Sequence, residues 1–217
     1  PNDGSTGSEI DVPDFGRDVW DGINVTEVGA HGIASRKMTE MIWNKARNMC
    51  PALRLKDKAA PVQFFDLGSG DGTAARFMCK QDPNVHIKCI NISRNENITN
   101  RQLSDEEGLG AQISVETGTF ERLDPEYSNR FDGCISQDSF VHAFNKLHAF
   151  AEAYKVTKGG GFLLMSDLMC GEGEAVSAEE LYSDEDAQTV TKWTTVSQCV
   201  QMASDAGWSE IQFVDLT

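Results

Sequence analysis

The sequence predicts an α/β fold of three layers, a doubly wound and mostly parallel sheet covered by helices on both faces. Two observations carry this. Strand-length apolar runs alternate with segments whose apolar residues recur at helical spacing. The first of those runs ends in a glycine-dense turn, Gly68, Gly70 and Gly72, directly before a helical stretch. A third observation sets the scale: 217 residues with 40% hydrophobic content suffice for one buried core and are few for two domains.

Residues 1–13 are rich in Gly, Ser, Asp and Pro, cannot offset their own ordering entropy, and are expected to form a disordered leader to a single domain at 14–217. From Ala34 to Met49 the apolar positions Met38, Met41, Ile42, Ala46 and Met49 predict a helix that Pro51 stops. Val62, Phe64, Phe65 and Leu67 predict the first strand, and Thr73 to Lys80 the helix after the glycine turn. Strands follow at Val85 to Asn91, Gln112 to Glu116, Phe131 to Gln137 and Gly161 to Leu168, with helices at Glu96 to Glu107 and Phe144 to Val156. An acidic insertion at about 170–187 interrupts the rhythm. Val196 to Ala206 restores a helix, and the alternation from Trp208 to Leu216 predicts a sixth strand.

Nineteen basic against thirty-four acidic side chains leave a formal charge of −15, which repels phosphate backbones and anionic lipid surfaces. Seven acids and no base fall between Glu172 and Asp186, close to half of that total. No run has the roughly eighteen apolar residues that a spanning helix needs, and the opening residues lack the pattern of a secretory signal. A small-molecule partner in a reducing, cytoplasmic setting is expected, without nucleic acid or membrane; monomer and homodimer stay open. Six cysteines at least ten residues apart offer no metal clip, so no metal is expected and the thiols read as small apolar groups.

A glycine turn between strand and helix presents backbone amides to a ligand. Here it reads G-x-G-x-G with Asp71 inside it, which opposes a pyrophosphate and suits a cation; S-adenosylmethionine carries a sulfonium and an ammonium. Asp66 can shape the turn, and Gly68 and Gly70 let a methionine moiety lie against the chain. The residues after the fourth strand, Ser136 to His142, fall at the sheet edge where doubly wound folds bind ligands. An imidazole such as that of His142 can take a proton from an amine, and an acid such as Asp138 can orient a cationic substrate. A histidine there can equally cap or pack.

The segments Phe65 to Gly72 (FDLGSGDG), Cys89 to Ser93 (CINIS), Gly118 to Phe120, Ser136 to His142 (SQDSFVH) and Lys158 to Asp167 (KGGGFLLMSD) resemble class I methyltransferases that use S-adenosylmethionine. The resemblance is greatest to the branch of sarcosine/dimethylglycine N-methyltransferases and phosphoethanolamine methyltransferases, and it covers about Trp20 to Leu216. It implies S-adenosylmethionine as cofactor, released as S-adenosylhomocysteine. It implies cofactor contacts from Asp66, Gly68, Ser69, Gly70, Gly72, Asn91, Ile92, Asn97, Gly118, Thr119, Phe120, Ser136 and Gln137. His142 and Asp138 match the family's catalytic histidine and its acid, while Trp20 and Trp193 are candidate substrate contacts by cation–π closure. Arg36 or Arg101 is a candidate for a substrate carboxylate.

Asn91 stands where most relatives carry the acid that takes both ribose hydroxyls; an amide can accept there and donate as well. The usual adenine-amine acid after the third strand is also replaced, by Thr119 and Phe120. Relatives normally add a helix and a seventh strand beyond the point where this chain stops. The function implied is methylation of sarcosine or dimethylglycine towards the osmolyte glycine betaine. The alternatives are S-methylation of a thioether acid, phosphoethanolamine methylation, a non-catalytic module of a tandem enzyme, and a dinucleotide oxidoreductase, which Asp71 argues against.

Overall fold

The computed structural model of the chain describes residues 30–54, 60–171 and 193–216. The expected leader, Trp20 and nearly all of the acidic insertion lie outside the described residues. The elements are α1 (Ala30–Met49), α2 (Pro51–Arg54), β1 (Val62–Leu67), α3 (Thr73–Gln81), β2 (Val85–Asn91), α4 (Arg94–Glu106), β3 (Ile113–Thr117), β4 (Phe131–Gln137), α5 (Lys146–Val156), β5 (Thr157–Ser166) and α6 (Val196–Asp205). Single 3₁₀ turns occur at Pro125–Tyr127 and Phe140–His142.

The sheet runs in the order β3-β2-β1-β4-β5, and every pairing is parallel. A parallel sheet buried on both faces reads as a continuous apolar run, and β1 shows why. Phe64 and Phe65 are both wholly buried but join different cores, because successive strand residues face opposite sides. On one face Phe64, Ile87 and Ile135 pack with Trp43 of α1 and Met78 of α3. On the other, Phe65, Leu67 and Cys134 pack with Phe150 of α5 and Cys199 of α6. The aromatic rings of Phe140 and Phe150 meet there at 4.9 Å between centroids.

Helix α4 is different, since its buried residues are Asn97, Asn100 and Ser104. It is held to the ends of β2 and β3 by amide hydrogen bonds where the other helices use apolar contact.

Three expectations change. The strand expected at Trp208 to Leu216 is absent: Glu210 adopts φ 55°, which breaks an extended run, and Ile211, Phe213 and Val214 stay partly exposed. Its beginning is anchored by Trp208 Nε1 donating to the Phe150 carbonyl at 3.0 Å, and Lys45 Nζ reaches Gln212 Oε1 at 3.5 Å. Strand β5 begins at Thr157, four residues before the expected Gly161, because Thr157 pairs with Phe131 before the register shifts and Phe162 pairs with Gly133. Helix α5 begins at Lys146, since Asn145 caps it by accepting from the His148 amide at 3.0 Å. His142 therefore ends a 3₁₀ turn and does not belong to the helix.

All six cysteines are unpaired, and all but Cys170 are buried. Burial pushes the thiols of Cys79 and Cys134 up to about 12, so they stay protonated and inert. Among the described residues no helix is long and apolar enough to cross a membrane. Truncating Phe150 to Ala would open a cavity between α5 and the sheet and should cost about 3–5 kcal/mol. Urea unfolding followed by tryptophan fluorescence measures this, and an unchanged midpoint would contradict the packing described.

Candidate active site

In an open parallel sheet the crevice lies where strand order reverses, and here β1 sits between β2 on one side and β4 on the other. The carboxyl ends of β1 and β4 are fastened to each other. Ser136 Oγ donates to the Leu67 carbonyl at 3.0 Å, and Ser139 Oγ reaches the same oxygen at 2.6 Å. Ser136 is 1% exposed, so this expected cofactor contact is an internal fastening.

The three loop glycines all have positive φ, for different reasons. A Cβ on Gly68 would lie 2.5 Å from Ser139 Cβ, and one on Gly72 would lie 2.1 Å from Asn100 Oδ1. Both are demanded by neighbouring protein atoms, which corrects the expectation that Gly68 clears space for a ligand. Gly70 alone faces open space, the nearest atom to its Cβ position being Glu96 Oε1 at 3.9 Å. Asp71 turns away from the loop's interior: its carboxylate accepts from the Thr73 amide at 3.0 Å and hydroxyl at 2.7 Å. The cation preference read from Asp71 therefore has no support in the geometry.

Asp66 carries that preference better. Its carboxyl is 3% exposed, Oδ2 has no hydrogen-bond partner among the described residues, and burial pushes its pKa up to about 7. Ser69 Oγ, in the same loop, is likewise buried without a partner. An orphaned acceptor and hydroxyl behind a glycine with open space before it form a cradle that fits the methionine end of S-adenosylmethionine. Asp66, Ser69 and Gly70 would hold that end.

At the end of β2, Asn91 Nδ2 donates to Glu96 Oε2 at 2.9 Å. The carboxylate missing from position 91 is thus supplied from the first turn of α4. Spacing in Ser93-x-x-Glu96 is that of a capping box, which would send the Glu96 side chain back to Ser93; it turns to Asn91 instead. Ile92 is 65% exposed beside them, an apolar surface open to a ring. Asn97 is wholly buried, and its amide donates to the Asn91 carbonyl and to Thr117 Oγ1, each at 2.9 Å. Its amide nitrogen staples the strand ends, while Oδ1 is buried without a partner among the described residues. Gly118 lies against Ile90, and Thr119 Oγ1 accepts from the Glu121 amide. Phe120 stacks on Phe140 at 5.2 Å, 9% exposed, so little of it remains for adenine.

The segment after β4 holds Asp138 and His142, both exposed. Asp138 has φ 54°; its amide donates to the Ser166 carbonyl at 2.9 Å, and its Oδ1 accepts from Ser166 Oγ at 3.1 Å. Glu121 fixes the far end, its carboxylate accepting from the amides of Phe144 and Asn145 at 2.9 and 2.7 Å. Gln137 is not available as expected: its amide donates to Ser35 and accepts from Thr39 Oγ1 at 2.8 Å, anchoring α1 to β4. Trp193 lines an open groove with Phe144, Gln198 and Met202, next to the chain leaving His142. Arg101 donates to the Val115 carbonyl at the β3 edge, across the sheet from this segment, whereas Arg36 is exposed on α1 one residue from Ser35.

A family model described as a methyltransferase domain matches residues 65–165. The sarcosine/dimethylglycine N-methyltransferase of Aphanothece halophytica is 30% identical over 205 residues, covering 92% of this chain and 69% of that protein. The glycine/sarcosine/dimethylglycine N-methyltransferase of Actinopolyspora halophila is 32% identical over 162 residues, 75% of this chain but 28% of that longer protein. A crystal structure from Galdieria sulphuraria, assigned as a sarcosine dimethylglycine methyltransferase, aligns with TM-score 0.65 and 26% identity, over 80% of this chain and 60% of that one.

Two outcomes test the cradle. Gly70→Ala should leave the fold intact and lower S-adenosylhomocysteine affinity at least about a hundredfold by steric block, whereas Gly72→Ala should lower stability whether or not ligand is present. Calorimetric titration and thermal melts separate them. For Asp66, a pKa raised above the unfolded value of about 4 means that its contribution to stability is complete below pH 4 and lost as pH rises through about 7. Asp66→Asn should therefore melt several degrees above wild type at pH 8 without ligand, the gap closing towards pH 5, while binding S-adenosylhomocysteine more weakly.

Proposed function

Because the chain belongs to the S-adenosylmethionine-dependent methyltransferases, in the sarcosine/dimethylglycine N-methyltransferase family, we propose that it methylates the nitrogen of a small amine acid, sarcosine or dimethylglycine, towards glycine betaine. S-adenosylmethionine supplies an electrophilic methyl group on a sulfonium. The observation that carries the reading is the convergence of a cradle open at Gly70 with an exposed acid and imidazole at the same switch point.

Methyl transfer from a sulfonium is an in-line displacement, so the protein's contribution is to position the acceptor and exclude water. The acceptor nitrogen must present a lone pair. In the proposed mechanism an imidazole nitrogen of His142 takes the ammonium proton, and Asp138 holds the cationic nitrogen by charge before that transfer. Asp66 and Ser69 receive the methionine end of the cofactor, Asn91 and Glu96 together accept from the ribose hydroxyls, and Ile92 lies under the base. Arg36 is the better placed of the two arginines for the substrate carboxylate. Trp20 and Trp193 keep their proposed role at the acceptor's methyl groups. The six unpaired cysteines support a reducing, cytoplasmic setting, and the charge of −15 supports a small-molecule acceptor without nucleic acid.

Incubation with methyl-labelled cofactor and a panel of glycine, sarcosine, dimethylglycine, phosphoethanolamine and methylthio acids tests the reading; label appearing only in a thioether product would overturn it. His142→Ala should lower kcat by roughly 10²–10⁴-fold with little change in S-adenosylhomocysteine affinity. Glu96→Gln should weaken cofactor binding roughly tenfold, and Asn91→Asp in the Glu96→Gln background should restore part of it. Equal loss of kcat and cofactor affinity in the histidine variant would move His142 to a structural role.

A further inference from the structure

A single 3₁₀ turn fixes little of its own geometry, so the orientation of His142 must be imposed from outside. Val141 lies at the centre of that turn, 6% exposed, and charged side chains take both of its backbone polar atoms. The Val141 amide donates to Asp167 Oδ2 at 2.6 Å. The Val141 carbonyl accepts from Lys146 Nζ at 3.2 Å. Asp167 lies just past the end of β5, and Lys146 opens α5 at 7% exposure, so the two grips come from separate elements.

Both side chains also line one small internal cavity with Phe140, Phe150 and Met165, beneath the turn. Burying a lysine at the start of a helix is unfavourable, because its charge opposes the positive end of the helix dipole and loses hydration. A local compensating role is required, and the Val141 carbonyl supplies it. Asp167 is half-buried, also at a cost: desolvation pushes its carboxyl up to about 6, against the pull of the Leu168 and Val141 amides and of Lys146, with Asp138 pushing up and Cys199 of α6 also within its field. Leu168 supplies its second donor at 2.9 Å.

Resting on the reading of His142 as the proton acceptor, we propose that Asp167 and Lys146 are positioning residues, a half-buried carboxylate and a buried ammonium that grip Val141 from opposite sides and aim the adjoining imidazole at the substrate nitrogen. Neither group meets substrate. Ser166 on Asp138 and Glu121 on Phe144 and Asn145 complete the fixing at the two ends, and the rings of Phe120 and Phe150 pack on Phe140, while the Asp167–Lys146 pair holds the backbone at the centre of the turn.

The test uses the full chain and the variants Asp167→Asn, Asp167→Ala and Lys146→Met, with two independent readouts. In the first, hydrogen exchange at the Val141 amide should accelerate at least about tenfold in Asp167→Ala and less in Asp167→Asn, whose amide oxygen still accepts, while β1 amides keep their rates. In the second, kcat with dimethylglycine should fall roughly 10- to 100-fold, with S-adenosylhomocysteine affinity within about twofold of wild type. Unchanged exchange at Val141, exchange rising equally in β1, or an intact kcat in Asp167→Ala would each overturn the proposal. If the wild-type chain methylates no amine acid, the functional reading fails on its own, and the exchange comparison still decides whether the pair holds the turn.

Discussion

Two serine hydroxyls converge on one carbonyl oxygen, that of Leu67, and the functional end of the molecule is arranged around that point. Leu67 ends β1, the strand whose neighbours are β2 on one side and β4 on the other, so its carboxyl end is where the crevice opens. Drawing Ser136 and Ser139 onto it pulls the start of the His142 segment against the glycine loop. The approach is so close that position 68 has no room for a Cβ beside Ser139. The glycine loop and the His142 segment are thereby fastened to each other, as the proposed in-line transfer requires, since a displaced nucleophile loses rate steeply.

The layered fold was legible because a parallel sheet covered on both faces leaves continuous apolar runs such as Val62 to Leu67. The helix at Arg94–Glu106 was legible mainly by its position in the alternation, for its buried face is Asn97, Asn100 and Ser104. Amides that read as solvent-facing or ligand-facing in one dimension are here holding strand ends together. The same ambiguity affects the expected site residues. The side chains of Asn97, Ser136 and Gln137 lie at the expected edge of the sheet and bond to strand ends or to α1, and sequence position fixes the edge without fixing the direction. Glu96 read only as the start of a helix, and nothing in the sequence ties its carboxylate to Asn91 at the end of β2. Asp167 and Glu121 had no local signal, since each accepts from amides more than twenty residues away. The sixth strand failed for a further reason: alternation describes which side chains could be buried, and a strand also needs a backbone partner.

Energetically the site contrasts with its surroundings. The two cores under the sheet are apolar and close-packed, with thiols such as Cys79 and Cys134 behaving as small hydrophobes. Around the glycine loop and α4, by contrast, Asp66, Ser69, Asn97 and Asn100 each keep a buried polar atom without a partner among the described residues. Unsatisfied groups of this kind destabilise a resting protein by roughly 1–3 kcal/mol each. Two of them, Asp66 Oδ2 at the end of β1 and Ser69 Oγ in the loop, stand where a hydrogen-bonding ligand would relieve that cost.

The parallel bridge between Cys170 and Thr195, with the Cys170 amide donating to the Thr194 carbonyl at 3.0 Å, brings together the two ends of everything between β5 and α6. Chain leaving the sheet there returns to the same place before α6 begins, whatever its length. Doubling such a closed detour changes closure entropy by only about 0.6 kcal/mol. Insertions and deletions between these anchors are thus nearly invisible to the sheet and its crevice.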